Sequence, residues 1–345
     1  MIIRIRSSDL LPVVTYLLSV SDEFEISCGD ESILRISLSG QRLRLVRSRG
    51  GTWSWCSLPL DVAVWWSLHF SGEDIAFADL KYSFAKFLES LYALPGSRLP
   101  IVVFDETALW YGCCHSLARY WLSVAHSFRA RIQTTYFAIP DHVKENLVRL
   151  LHEHNPLPDE LQVNFIKSLG LRVSEYLIDV ELARTILGLH DLLNASKVLP
   201  ITEVTLGIGV GIGVFSLYFR LSRAIRAQFG IGVTPILITS REDVASASDL
   251  LGLPIQLVTP KQIPSEVDIG FKSVGTVLTV LTYLLSAIKV RSRDLEFVMV
   301  PGPISRSLDC CSDPPLSIIV KTGSSDYLSR WIKLSRSLKN WLTSS

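Results

Sequence analysis

The stretch Thr234–Val258, TPILITSREDVASASDLLGLPIQLV, decides the fold class of this chain. Short apolar runs at 234–239 and 255–258 predict two strands, and the segment 242–252 between them predicts a helix. A strand, a helix and a second strand in this order form a crossover, which joins parallel strands. The expected fold class is therefore α/β.

The same alternation extends over the last part of the chain. Further strands are predicted at 202–208, 267–271, 295–300 and 316–321, and further helices at 213–229, 273–290 and 325–342. A Rossmann-like domain, with a mainly parallel sheet and flanking helices, is therefore expected over residues 199–345.

Two other regions precede it. Residues 1–97 are expected to form a small α+β region, because the alternating runs 34–39 and 42–47 flank Gly40-Gln41 as in a hairpin. Residues 98–198 are expected to contain one buried strand, Leu99–Phe104, followed mostly by helices. One of these helices follows Pro140, and the next begins near Asp159.

Composition excludes two broad classes of protein. The chain has 345 residues, 34 basic against 33 acidic side chains and 48% hydrophobic residues, with a mean hydropathy of +0.33. Such a chain is neither disordered nor a polybasic coat for nucleic acid. The many arginines and only two methionines fit a thermophilic source.

Targeting and redox signals favour a cytoplasmic protein. The N-terminus has no secretory signal, and the apolar stretches 204–219 and 273–288 are shorter than the roughly 20 residues of a membrane span. No C-x-x-C occurs, so the six cysteines are expected to be buried thiols. They are Cys28, Cys56, Cys113, Cys114, Cys310 and Cys311.

A ligand-binding edge is predicted where the C-terminal strands end, because open parallel sheets bind ligands there. Glycine-rich backbone, hydroxyls and lysines at such an edge favour a phosphate. The residues are Gly207, Gly209, Gly211, Gly213, Ser240, Lys272, Ser273, Lys321 and Thr322. Neither a G-x-G-x-x-G fingerprint nor a P-loop is present. The layout is similar to Rossmann-like sensor domains, including the nucleotide-sensing CARF domains of CRISPR systems.

Two basic helix faces are candidates for nucleic-acid binding. Basic residues recur every third position, as Arg220, Arg223 and Arg226, and as Arg330, Lys333, Arg336 and Lys339. In the last helix the apolar residues Leu328, Trp331, Leu334, Leu338 and Trp341 lie away from the basic stripe. A basic face with tryptophans suits phosphate backbones or an anionic membrane surface, and a solvated face is the commoner case.

A set of carboxylates supports an alternative, enzymatic hypothesis. The runs Ile101–Asp105, Ile139–Glu145 and Ile178–Arg184 place acids at spacings that resemble PIN-domain nucleases. The resemblance implies a metal-dependent RNase that uses Asp105, Glu145, and Asp179 or Asp191, with Mg²⁺ or Mn²⁺ held at Asp105. Glu106 directly follows Asp105 where that family has a small hydroxyl residue, and the family's final T-x-D element is missing.

A second nuclease pattern consists of an arginine and a histidine four to six residues apart. It occurs as Arg119…His126, Arg149…His154 and Arg184…His190, and this spacing resembles the HEPN ribonuclease motif. Three matches in an arginine-rich chain favour coincidence.

The sequence thus predicts a protein that binds a nucleotide or other phosphorylated ligand as a sensor or regulator. The alternatives are the metal-dependent nuclease and a non-catalytic subunit of a larger complex, and a protein partner or homo-oligomer fits the third. The contact surface of such a subunit would be the tryptophans Trp53, Trp55, Trp65 and Trp66.

Overall fold

A computed structural model describes most of the chain. The described residues are 2–29, 31–39, 42–47, 58–73, 75–76, 80, 82, 86, 99–117, 136–157, 159–195, 198–201, 223–228, 232–242, 244, 255–303, 306–322 and 325–344. The strands are β1 (Ile2–Arg6), β2 (Glu23–Cys28), β3 (Glu31–Ser39), β4 (Arg42–Arg47), β5 (Leu99–Phe104), β6 (Tyr136–Pro140), β7 (Val198–Ile201), β8 (Val233–Thr239), β9 (Ile255–Leu257), β10 (Glu266–Ile269), β11 (Ile288–Arg291), β12 (Glu296–Pro301) and β13 (Pro315–Thr322). The helices are α1 (Leu10–Val20), α2 (Leu60–Ser71), α3 (Glu106–Trp110), α4 (Asp141–Glu153), α5 (Glu160–Ser168), α6 (Val173–Tyr176), α7 (Val180–Asn194), α8 (Phe271–Leu284), α9 (Leu308–Ser312) and α10 (Ser325–Ser344).

The chain divides into two compact units, which we name after their sheets. The antiparallel unit comprises Met1–Ala76, His154–Ile186 and Lys261–Ser345, and the parallel unit comprises Phe77–Glu153 and Leu187–Pro260. Both units are assembled from segments that are far apart in the sequence. The α/β class expected from the sequence is confirmed.

The antiparallel unit is built on one sheet with the strand order β1-β13-β12-β11-β2-β3-β4-β10. Each neighbouring pair in it is antiparallel. The hairpin predicted around Gly40-Gln41 is confirmed, because β3 and β4 pair down to Ser39 and Arg42. Leu34 and Ile36 are buried while Arg35 between them is exposed, as a strand with one buried face requires.

Helices pack against this sheet. Helix α8 contains most of the apolar stretch 273–288, and Val274, Leu278 and Leu281 on it are fully buried. It packs against α1, α2 and β12. No helix among the described residues is long and apolar enough to cross a membrane. The other apolar stretch, 204–219, lies outside the described residues.

The parallel unit contains a sheet with the order β7-β6-β5-β8-β9, and all its pairs are parallel. Counted along the chain, these strands are the third, second, first, fourth and fifth of the sheet. Ile101, Val103, Ala138 and Leu237 form a buried cluster with Ile225 and its neighbours. The strand predicted at Leu99–Phe104 is thus confirmed and lies in the middle of the sheet.

The prediction that residues 199–345 form one mainly parallel sheet is wrong for its later strands. The strands predicted at 267–271, 295–300 and 316–321 correspond to β10, β12 and β13, which pair antiparallel with other strands. An alternation of strand and helix does not reveal which sheet a strand joins. In β10, exposed Glu266 and Asp268 alternate with buried residues, which is typical of antiparallel strands with one solvated face.

Strands β6 and β11 are among those that the sequence analysis missed. The middle region was expected to be mostly helical after β5, but β6 pairs with β5 and β7 there. The helix predicted over 273–290 ends at Leu284, and its last residues begin β11. Short strands of four or five residues carry too little periodicity to be distinguished from helical flanks.

The helices of the middle region agree with their sequence signals. Helix α4 begins at Asp141, directly after Pro140, and buries Val143, Leu147 and Leu151 on one face. The next helix, α5, begins after Asp159, whose side chain accepts hydrogen bonds from the amides of the first turn.

Candidate functional site

The carboxyl ends of β5 and β8 form a topological switch point in the parallel sheet. The two strands are adjacent, but the chain leaves β5 toward β6 on one side and leaves β8 toward β9 on the other. The connections therefore diverge at this point, and open α/β sheets bind ligands in the crevice that such a divergence creates. We name the residues here, Asp105, Thr107, Thr239, Ser240 and Arg241, the switch-point site.

Asp105 lies at the centre of this site. Its Oδ1 accepts hydrogen bonds from the Thr107 hydroxyl at 2.7 Å and from the Ala108 amide at 2.9 Å. Its Oδ2 accepts one from the Thr239 hydroxyl at 2.5 Å. The Ala108 bond caps α3. The carboxylate thus joins the end of one strand, the start of a helix and the end of the neighbouring strand.

Backbone groups complete the connection between the two strand ends. The Ser240 amide donates to the Thr107 hydroxyl at 2.9 Å, and the Arg241 amide donates to the Thr239 hydroxyl at 3.1 Å. Each threonine hydroxyl therefore donates to Asp105 and accepts from the backbone. Both threonines are buried, so this network fixes the positions of Ser240 and Arg241.

The pKa of Asp105 is set mainly by its burial. Burial raises the pKa of its carboxyl group, and nearby Glu106 adds to the rise, although the hydrogen bonds from Thr239, Thr107 and the Ala108 amide lower it. The net pKa lies above the ordinary value. Such a carboxyl group can accept a hydrogen bond from a ligand hydroxyl or, when protonated, donate one.

The residues predicted to bind a phosphate do not share one edge. Ser240 follows β8 in the parallel unit, whereas Lys272 and Ser273 begin α8 and Lys321 and Thr322 end β13 in the antiparallel unit. The predicted glycines, Gly207, Gly209, Gly211 and Gly213, lie outside the described residues. Of the predicted phosphate-binding residues that the structure describes, Ser240 is the one at the switch point.

A carboxylate already lies at the start of α8. Glu73 Oε1 accepts a hydrogen bond from the Gly270 amide at 2.9 Å, and Gly270 is the N-cap residue of this helix. An anion at a helix N-terminus is favoured by the exposed amides there. Glu73 therefore occupies part of the position that the sequence analysis assigned to a phosphate near Lys272 and Ser273.

The four carboxylates of the nuclease hypothesis lie in different surroundings. Glu145 is exposed on α4, Asp105 belongs to the switch-point site, and Asp179 lies in the antiparallel unit. Asp179 accepts hydrogen bonds from His154 at 2.7 Å and from the Leu182 amide at 2.9 Å. Among the described residues, no group of three or more His, Cys, Asp or Glu side chains is arranged to hold a metal.

Asp191 is a fully enclosed carboxylate in the parallel unit. It accepts hydrogen bonds from the backbone amides of Cys114 at 2.9 Å and His115 at 2.8 Å. Burial raises its pKa to about 8, against the lowering effect of these two amides. Both partners are backbone amides in the helical segment 113–117, so the contacts of Asp191 are those of a structural cap on that segment.

The arginine–histidine pairs have separate partners where they are described. Arg149 donates to Asn146 at 3.4 Å, while His154, at the other end of that pair, contacts Asp179. Arg184 lies over the Trp66 ring, 5.5 Å from its centroid. The third pair, 119 and 126, lies outside the described residues. Both nuclease hypotheses remain predictions.

Most of the described residues of the predicted basic faces are exposed, and one of them is ion-paired within the protein. Arg223 and Arg226 are exposed on a helical segment, as are Arg330 and Lys333 on α10. Arg336 instead donates to Asp9, with 2.6 Å from Nη2 to Oδ2. Arg220 and the side chain of Lys339 lie outside the described part of the chain.

The described tryptophans of the predicted contact surface and the described cysteines are interior residues. Trp65 and Trp66 on α2 are 2% and 0% exposed, which removes them from any contact surface, and Trp53 and Trp55 lie outside the described residues. The described cysteines are buried thiols, as expected, and they are Cys28, Cys113, Cys114, Cys310 and Cys311.

The predicted site residues did not include Thr107, Thr239 and Arg241. A signal existed, because Thr239 directly ends an apolar strand and Thr107 follows Asp105 by two residues. Hydroxyl and carboxyl side chains at the ends of buried strands are what a polar cluster at a sheet edge requires.

Comparison with known proteins adds no relative to this picture. No protein-family model matches the chain, and no curated protein matches it in sequence.

Proposed function

We propose that the chain binds a nucleotide or another phosphorylated ligand at the switch-point site, and acts as an intracellular sensor or regulator. The observation that carries the proposal is that the polar cluster of Asp105, Thr107 and Thr239 coincides with the topological switch point of a parallel sheet. The strand order is that of a Rossmann-like sheet, in which this crevice is the usual ligand site.

The chemistry of the cluster supports a ligand that carries both hydroxyl and phosphate groups. Asp105 Oδ2 accepts one hydrogen bond from the protein and has capacity for a second, from a ligand hydroxyl such as that of a ribose. Arg241 is exposed directly after the network, and a guanidinium matches the geometry of phosphate oxygens. Ser240, which is half-buried, directly precedes Arg241 and has a hydroxyl that could also contact such a ligand.

The test is a thermal-shift screen of the purified chain against nucleotides, cyclic oligonucleotides and dinucleotide cofactors. A ligand at about 100 times its Kd adds about 2.7 kcal/mol to the free energy of unfolding. We expect Arg241→Ala to weaken binding of the hit roughly tenfold, because a charged hydrogen bond to phosphate is lost.

Two control variants locate the site. Arg226→Ala removes another exposed arginine of the same unit and should leave the affinity unchanged. Loss of binding in Lys272→Ala, with Arg241→Ala unaffected, would move the ligand to the start of α8. A panel without any stabilising nucleotide would contradict the proposal.

A further inference from the structure

The last helix, α10, carries two apolar faces. Leu328 and Ile332 are 0% and 2% exposed and form its inner face. Tyr327, Trp331 and Leu334 are 66%, 40% and 57% exposed. Because these three follow a spacing of four and three residues, they form one continuous stripe along the helix. We name Tyr327, Trp331 and Leu334 the outer stripe.

The outer stripe is not required to attach α10 to its unit. The inner face already packs against α1, and Arg336 adds an ion pair to Asp9 at 2.6 Å. Among the described residues, Trp331 is the member of the outer stripe that makes a ring contact, with Tyr16 at 6.4 Å between centroids. Large exposed apolar residues in one stripe indicate an interaction surface.

The charges beside the stripe define the chemistry of its partner. Arg330 and Lys333 are exposed, and neither has an ion-pair partner among the described residues. Helix α10 contains four basic residues, Arg330, Lys333, Arg336 and Lys339, against the single acid Asp326. A surface that complements α10 must therefore be anionic.

We propose that the outer stripe of α10 docks on the surface of an anionic lipid bilayer. Tyrosine and tryptophan have apolar rings with a polar group and prefer the headgroup region. Lysine and arginine beside them are attracted to anionic headgroups. The exposed Leu334 favours a bilayer over a nucleic acid, because an acyl layer stabilises a buried leucine and a phosphate backbone does not.

Docking of this kind is peripheral and reversible. The helix lies along the surface, with the outer stripe between the headgroups and the basic residues at their level. The site is independent of the proposed ligand at the switch point, which lies in the other unit. Either proposal can therefore fail without the other.

Co-sedimentation of the full chain with lipid vesicles tests the proposal. The probes are phosphatidylcholine vesicles with and without about one third phosphatidylserine. We expect binding to the anionic vesicles to be at least about tenfold stronger than to the neutral ones. Leu334→Glu should weaken it about tenfold or more, and the double change Arg330→Glu with Lys333→Glu should weaken it at least as much.

Matched controls separate the stripe from general effects. Leu161 on α5 is 52% exposed, so Leu161→Glu repeats the change at Leu334 on another helix. Arg172→Glu reverses the charge of another exposed arginine. Both variants should bind the vesicles like the wild type, and circular dichroism melts should show that all variants fold.

Three results would overturn the proposal. The first is the absence of vesicle binding, or equal binding by the variants and their controls. The second is binding to single-stranded RNA but not to vesicles, with loss in the Arg330 and Lys333 double variant but not in Leu334→Glu. The third is a dimer that Leu334→Glu dissociates in size-exclusion chromatography, without vesicle binding.

Discussion

Each unit contains an aspartate with a shifted pKa, and the two shifts have opposite directions. In the parallel unit, the pKa of Asp191 is raised to about 8, because burial outweighs two hydrogen bonds from backbone amides. In the antiparallel unit, burial also acts to raise the pKa of Asp313, but hydrogen bonds from Ser7 and Ser8 and the charge of Arg6 lower it below the ordinary value.

The difference lies in the number and type of donors. Asp313 accepts hydrogen bonds from the hydroxyls of Ser7 and Ser8, each at 2.6 Å, and from the Ser8 amide at 3.0 Å. It is also only partly buried. Asp191 is 1% exposed and has the buried thiol of Cys113 near it. Burial therefore disfavours the ionised form of Asp191, whereas the hydrogen bonds favour the ionised form of Asp313.

The largest expected effect is the pH dependence caused by Asp191. Its folded pKa, about 8, exceeds the ordinary value of an unfolded aspartate, so its contribution to stability is complete below about pH 4 and is lost up to about pH 8. In this range the free energy of unfolding should fall by up to about 1.4 kcal/mol per pH unit. Urea unfolding at a series of pH values measures this slope.

Asp191→Asn should remove that slope, because the amide does not ionise. At pH 5 the variant should be less stable than the wild type, because the side-chain NH2 of the asparagine would face one of the two backbone N–H groups that now donate to Asp191. The difference in stability should narrow toward pH 8. Asp294→Asn changes an exposed aspartate and serves as the control. A slope that is unchanged in Asp191→Asn would show that other groups carry the pH dependence.

Backbone packing gives the next largest effect, at one glycine in each unit. A Cβ on Gly302 would lie 2.7 Å from Pro315 Cβ and 2.8 Å from its carbonyl carbon, whereas a Cβ on Gly232 would meet nothing within 4 Å. Gly302→Ala should therefore lower the free energy of unfolding by about 3 kcal/mol. Gly232→Ala should change it by about 0.5 kcal/mol or less. Similar midpoints for both variants in urea would contradict this contrast.

The same contrast explains how far the fold follows from the sequence. Local patterns were sufficient for β5, the hairpin of β3 and β4, and the starts of α4 and α5, because alternation and capping residues act over a few positions. They were insufficient for sheet membership. Strand β10 is separated by more than two hundred residues from β4, its partner in the sheet, and no local signal encodes that pairing.

The candidate site was predicted only in part, for a related reason. Asp105 and Ser240 were identified because each follows an apolar strand. Their proximity depends on the pairing of β5 with β8, which brings together residues more than 130 positions apart. Lys272 and Lys321 carry the same kind of signal but follow strands of the other sheet. A strand-end residue becomes a site residue only through the topology of its sheet.

Buried hydroxyls should also behave differently in the two units. Thr239→Val removes the donor to Asp105 Oδ2 and the acceptor for the Arg241 amide, which should cost about 1–3 kcal/mol. Ser317 on β13 is fully buried, and its hydroxyl has no hydrogen-bond partner among the described residues. Ser317→Ala should therefore be neutral or stabilise by up to about 1 kcal/mol. A larger loss in Ser317→Ala than in Thr239→Val would reverse this assignment.

Asp313→Asn tests a pH dependence that is opposite in sign to that of Asp191. The folded pKa of Asp313 is lowered, so its contribution is present above the unfolded pKa and is lost as the pH falls below about 4. At pH 7 the variant should lose about 1–2 kcal/mol, because the amide accepts fewer hydrogen bonds from Ser7 and Ser8. At a pH below the folded pKa of Asp313 the wild type is protonated and has lost most of the same interactions, so the two proteins should unfold at closer urea concentrations there. An equal difference at both pH values would mean that the hydroxyls and Arg6 stabilise the fold by their geometry alone and not through the charge of Asp313.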